Sequence, residues 1–198
     1  MTRPLKTFLA VGIPLLILDI VTKVWIRGNL AVNDHIMVIP GLFRIWHRTN
    51  KGAAWSLFGD QTWGMTFLIL MGFVALSVMV WMIIKLPEDD TWSAIALGSL
   101  AGGAVGNLID RIRFRQVTDF LDVYADSGWM ATFFTKIAGG KHYPTFNVAD
   151  MAIVGGAILL AILVLRGEHE PASDDATKDE VPPKPAESSD AAEATANA

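Results

Sequence analysis

A chain of 198 residues that is 52% hydrophobic and only 18% charged, with a mean hydropathy of +0.40, has too little charge for its apolar content to be an ordinary soluble domain. The absence of cysteine excludes a disulfide framework, a thiolate zinc site and a thiol nucleophile, and His35, His47, His142 and His169 are scattered without metal-ligand spacing. The formal charge of −4 is unevenly held: residues 170–198 contain eight acidic and two basic side chains, a net of −6, which leaves +2 for the remainder.

In chain order, Arg3 and Lys6 precede an apolar run from Thr7 to about Ile26. At about 1.5 Å per residue a helix of this length crosses a hydrocarbon core of about 30 Å. The run is too long for a signal-peptide core, contains Asp19 and Lys23, and lacks a small-residue cleavage site after it, so it is expected as a first membrane helix. Asp19 and Lys23 stand four apart, hence on one helix face, where each partly neutralises the other as a structural ion pair. Residues 28–60 are too polar to span. Within them Ile36–Ile39 and Leu42–Trp46 are rich in β-formers and flank the turn residues Pro40-Gly41, which predicts a small interfacial sheet. The segment Asn50-Lys51-Gly52-Ala53-Ala54-Trp55 reads as an interfacial turn between aromatic anchors.

A second span is expected over Trp63–Ile84, a third over Thr91–Ile109 and a fourth over Asn147–Leu165, with Asp150 in its first turn. The fold class is therefore an all-α, four-span membrane protein with a β-rich interfacial element between helices 1 and 2. The domain comprises residues 1–169. From 170 to 198 the Pro, Ala, Ser and acidic composition cannot bury enough surface to offset ordering, which predicts a disordered acidic tail.

Four spans put both termini on one side. The far end of helix 1, the loop 28–60, the far end of helix 3 and the start of helix 4 then share the other side, which brings Asp19, Asn50, Asn107, Arg111, Asp119, Asn147 and Asp150 toward one region. Asp119 and Asp150 follow and open consecutive spans and form a candidate pair. Two carboxylates at a partly desolvated site cannot both ionise easily, so one can serve as base and the other as acid in amide hydrolysis. Read from the residues alone, three roles stand open for them: catalysis, an ion or proton pathway, and helix capping. Gly98, Gly102 and Gly106, at four-residue spacing, equally suit close helix packing.

The ordered blocks Asp19-Ile20-Val21-Thr22-Lys23, Asn50-Lys51-Gly52-Ala53-Ala54-Trp55, Gly102 through Arg111, Val117-Thr118-Asp119-Phe120 and Pro144 through Asp150 resemble the five signatures of the lipoprotein signal peptidase, or signal peptidase II, family. The resemblance covers roughly residues 7–166 and leaves the tail unexplained. It implies a bacterial inner-membrane aspartic endopeptidase that removes the signal peptide from a prolipoprotein, cutting before a diacylglyceryl-modified cysteine. By position in the motifs, Asp119 and Asp150 correspond to the catalytic pair. Asn50, Gly52, Asn107, Arg111 and Asn147 correspond to residues that bind substrate or support the pair. The implied partners are the lipidated substrate and membrane lipid, with no nucleic acid, no metal and no organic cofactor, and the chain is expected as a monomer. The alternative is a small carrier or channel that uses its aspartates for protons or cations.

Two features depart from the family pattern. Residues 122–143 look longer than the usual link between the aspartates. The basic residues also count against the implied orientation: Arg3, Lys6, Lys85 and Arg166 flank the terminal side, while Arg27, Arg44, Arg48, Lys51, Arg111, Arg113, Arg115, Lys136 and Lys141 populate the other. The expected orientation nevertheless follows the resemblance, with cytoplasmic termini and the site near the periplasmic face.

Overall fold

The computed structural model describes residues 1–52, 61–138 and 142–167. The expected interfacial turn at Ala53-Ala54-Trp55, and the boundary and tail expected from residue 170, lie outside them. In chain order the elements are helix α1 (Arg3–Asn29), strands β1 (His35–Ile39) and β2 (Phe43–Asn50), helices α2 (Gln61–Lys85) and α3 (Thr91–Phe114), strand β3 (Val117–Val123), and helices α4 (Gly128–Ala138) and α5 (Val148–Leu165). Helices α1, α2, α3 and α5 are long and apolar enough to cross a membrane. Many of their large apolar side chains, among them Ile17, Val21, Phe67, Leu70, Val74 and Ile158, are exposed, as lipid-facing residues must be.

Helix α3 is the centre of the bundle. Its face from Ser93 to Asp110 is buried, and small residues let its neighbours approach to backbone contact. A methyl group added at Gly98 would stand 2.6 Å from the Phe8 carbonyl oxygen, and one at Gly102 would stand 2.6 Å from that of Gly12, both on α1. Gly103 meets the Ala149 carbonyl of α5 in the same way, and Gly106 leaves the space that the Asp19 carboxylate fills. The glycine stripe therefore packs helices and also makes room for a buried charge. Helix α2 sits outside, packing Ile83 against Ala94 and Leu97 and Gly72 against Leu108.

The sheet has three antiparallel strands in the order β1-β2-β3. Gly41, at φ +76°, turns the chain between the first two. The third strand was not expected, because the β-rich element was assigned to residues between helices 1 and 2 alone. Val117–Val123 reads poorly as a strand since it is buried on both faces and carries Asp119 and Asp122 inside. Pairing with β2 aligns Thr118 with Thr49 and Asp119 with Arg48, which fixes Asp119 in the sheet. Beyond β3, the amphipathic helix α4 packs Ala131 and Phe134 near Ala125 while leaving Trp129 and Phe133 exposed. The chain then returns beside β3: Tyr143 N donates to the Val123 carbonyl at 2.9 Å, and Phe146 N to that of Leu121 at 3.1 Å.

Candidate active site

That return delivers Asn147 to the start of α5 next to Asp119. Asn147 is the N-cap residue of α5. Its Oδ1 accepts from Asp150 N at 2.9 Å, while Asp150 Oδ2 accepts from Asn147 N at 3.1 Å, a reciprocal capping box. The cap leaves the Asn147 amide nitrogen free to serve other groups. It donates to Asp119 Oδ1 at 2.8 Å, with longer contacts to Asn107 Oδ1 at 3.2 Å and the Thr118 carbonyl at 3.3 Å. One fully buried asparagine therefore touches both carboxyl-bearing residues.

Asp119 is only 2% exposed. Its second oxygen accepts from Asn50 Nδ2 at 3.0 Å, and Asn50 is held in turn by Gly52 N, which donates to Asn50 Oδ1 at 2.8 Å. Gly52 has φ +84°, a conformation glycine adopts without strain. Burial, followed by the charge of Asp150, pushes the Asp119 carboxyl up to about 6, against the opposing hydrogen bonds from Asn50 and Asn147 and the charge of Lys23. Asp150 is half-buried, and its carboxylate receives a second donor, Asn107 Nδ2, on Oδ1 at 2.8 Å.

Asn107 links this pair to a second cluster below it. Lys23 Nζ donates to Asn107 Oδ1 at 2.9 Å and lies 2.8 Å from Asp19 and 3.6 Å from Asp110. Asp19 Oδ1 accepts from Ala149 N at 2.9 Å, tying α1 to α5. Asp110 binds Arg27 at 3.1 Å and accepts from Thr118 N at 3.0 Å. Arg111 is half-buried at the same level, within electrostatic reach of Asp150, Asp119 and Asp110, and its side chain makes no ion pair among the described residues. The structure thus gathers Asn50, Gly52, Asn107, Arg111, Asp119, Asn147 and Asp150 at one end of the bundle, with Asp19 and Lys23 one layer deeper.

One cluster was invisible to sequence reasoning. Asp122, fully buried, binds Arg44 at 2.5 Å, and His142 Nδ1 stands 3.3 Å from the same carboxylate. Arg44 also lies over the Trp46 ring at 4.1 Å, and His142 stacks on Tyr124 at 5.6 Å. The arrangement clamps the β1–β2 hairpin to β3 and to the segment before Asn147. Its only advance signal was an aspartate in a strand otherwise buried, and the partner depended on strand register.

Among the described residues no group of three or more His, Asp or Glu is arranged to hold a metal ion. Chemically, two carboxyls supplied with amide donors, one of them holding its proton to about pH 6, can move protons to and from a water and a carbonyl. Four spans with two amide-held carboxyls gathered at one end of the bundle define a multi-pass membrane protein with a candidate acid–base site.

Residues 11–166 match the family model described as signal peptidase (SPase) II, and the chain belongs to that family of proteases. It is 41% identical over 167 residues to a lipoprotein signal peptidase of Geobacter sulfurreducens, covering 84% of this chain and 96% of the relative. It is 39% identical over 161 residues to one of Maridesulfovibrio salexigens, covering 79% and 95%. A bacterial membrane enzyme solved at 1.9 Å by the in meso method superposes with a TM-score of 0.69 at 29% identity, covering 83% of this chain and 96% of that one.

Proposed function

We propose that the family activity, removal of the signal peptide from prolipoproteins, is carried out here by Asp119 and Asp150 acting as one catalytic pair. The observation that carries this reading is the shared amide. Asn147 donates to Asp119 and caps Asp150, and neither carboxylate forms a salt bridge among the described residues. An ion-pathway aspartate would need to exchange ligands freely; these two are held by directed donors at each oxygen.

Burial lets Asp119 keep its proton to about pH 6, which makes it the acid of the pair and Asp150 the base. Asp150 takes a proton from a water, whose oxygen attacks the scissile carbonyl carbon, while Asp119 gives its proton to the carbonyl oxygen. The tetrahedral diol collapses as Asp150 passes its proton to the leaving amine, the C–N bond breaks, and Asp119 recovers a proton from the diol. Arg111 and Asn50 border the pair on two sides and orient the substrate backbone. The signal helix and the diacylglyceryl chains remain in the bilayer, so the bond before the lipidated cysteine meets water at the interface.

The enzyme works as a monomer in the bacterial inner membrane, with cytoplasmic termini and the site at the periplasmic face. The partners of several basic residues support this orientation against the contrary count. Arg27 is engaged by Asp110, Arg44 by Asp122, and Arg48 by Asn33 and the Trp46 ring, so each has a partner within the fold that can account for its presence apart from orientation. The test is incubation of the purified chain with a diacylglyceryl-modified precursor, expecting a shortened product that begins at the modified cysteine. Cation-dependent uptake into vesicles with no cleavage would instead establish the carrier.

A further inference from the structure

We propose that Lys23 is a positioning residue for catalysis: its ammonium fixes which end of the Asn107 amide faces Asp150. The inference rests on the catalytic reading above. A carboxamide has a donor end and an acceptor end of nearly equal shape, and its direction is set by neighbours that can play only one role. Lys23 can only donate, so the Asn107 atom 2.9 Å from it is the carbonyl oxygen, and the amide NH2 must face Asp150 Oδ1. The same logic governs the other two asparagines. Asn147 Oδ1 is pinned by the Asp150 backbone N–H, and Asn50 Oδ1 by the Gly52 N–H, so both turn their NH2 groups to Asp119.

Two of these pins are backbone groups close in sequence, whereas Asn107 Oδ1 is held by side chains from two other helices, Lys23 Nζ at 2.9 Å and, at a longer 3.2 Å, Asn147 Nδ2. The geometry of Lys23 combines this role with that of a counter-ion. The ammonium meets Asp19 Oδ2 at 2.8 Å, and Asp110 Oδ2, at 3.6 Å, is already bonded to Thr118 N. With one proton toward Asp19, Lys23 directs another to Asn107 Oδ1 at 2.9 Å. Without it only the longer contact from Asn147 Nδ2 holds the Asn107 oxygen, and a turned amide would present oxygen to the Asp150 carboxylate, replacing an attraction by a repulsion.

The test separates charge from direction. Asp19→Asn with Lys23→Met removes both charges of the ion pair together, avoiding an unpaired buried charge, while the carboxamide that replaces the Asp19 carboxylate can still accept from Ala149 N. Per folded molecule, this pair should lose about tenfold or more in kcat with KM changed less than about twofold. Asp19→Asn alone keeps the ammonium and should lower thermal stability while holding kcat within about threefold. In an Asn107→Ala background the double substitution should reduce kcat less than about twofold further, because the group it acts through is gone. Should the methionine pair not fold, Asp19→Asn with Lys23→Gln keeps a polar side chain there, and its reversible amide should give an intermediate loss of kcat. Wild-type kcat in the folded double variants, equal losses in Asp19→Asn alone, or multiplying losses in the Asn107→Ala background would each overturn the role of Lys23. An Asp119→Asn control run alongside isolates the premise: if that variant still cleaves, it is the catalytic assignment that fails.

Discussion

Asn107 and Asp110, one turn apart on α3, belong to two charge clusters of opposite construction. Around Asp110, two cations, Lys23 and Arg27, face two carboxylates, Asp19 and Asp110, and nearly every buried polar atom has a partner. Around Asn107, two carboxylates, Asp119 and Asp150, are hydrogen-bonded by amides, with the single cation Arg111 within electrostatic reach but in no ion pair with them. A balanced cluster in a low-dielectric interior holds its protons fixed, because changing any one charge strands another. An unbalanced one must share a proton, and so can exchange it. The same helix therefore carries a scaffold on one turn and proton chemistry on the next.

The largest effect expected from this contrast is on turnover. Asp119→Asn and Asp150→Asn each remove a group that must change protonation, and each should reduce single-turnover cleavage by about 10³-fold or more. The double variant should be little worse than either, since the pair acts as a unit. Losses that multiply would separate the two carboxyls and dissolve the contrast.

The scaffold should fail differently. Gly103→Leu drives a side chain into the Ala149 carbonyl and the Ile153 side chain, parting α3 from α5 and pulling both clusters off register. Overpacking of this kind costs about 1–3 kcal/mol, read as a lower unfolding midpoint in detergent and a reduced yield of inserted protein. Gly155→Leu is the control, since nothing lies near an added carbon there. Equal behaviour of the two would show that the close approach of α3 and α5 matters little.

The pH profile sharpens the comparison. Asp119 holds its proton to about 6 in the folded protein, against 3.8 for an ordinary aspartate side chain. Between those values the folded chain binds a proton that the unfolded chain has released, so this group's contribution to stability falls as pH rises toward 6 and is flat above it. The full difference is about 3 kcal/mol. The same proton should govern the free enzyme's kcat/KM, with an alkaline limb starting near pH 6. In Asp119→Asn the stability slope between about pH 4 and 6 should flatten; an unchanged slope would assign the raised carboxyl elsewhere.

The spans and the convergence of the motif residues were legible because they rest on length, apolar runs and the parity of four crossings. Helix ends were less so: α1 runs from Arg3 to Asn29 and α3 on to Phe114, since polar end residues here find partners such as Asp110 for Arg27. Strand β3 was not legible, because alternation vanishes where both faces are buried and a carboxyl belongs inside. Helix α4 could have been found from Trp129, Phe133 and Phe134 at helical spacing. The direction of each amide depends on which donor lies opposite in space, and no spacing in the chain carries that.

The smallest effect concerns residues 170–198, which add a net charge of −6 to a domain of +2. A Pro, Ala, Ser and acidic segment has too few bulky apolar side chains to offset the entropy of being ordered, so it should contribute little buried contact to either cluster. Truncation after Glu170 should leave the unfolding midpoint and the cleavage rate within error of the full chain. Low salt is the demanding condition, because any steering of substrate by the acidic segment is least screened there, with a Debye length of about 30 Å at 0.01 M. A truncated, normally inserted protein that loses activity at low salt and regains it at high salt would give the tail an electrostatic part in substrate capture; a loss at all salt concentrations would make it part of the fold.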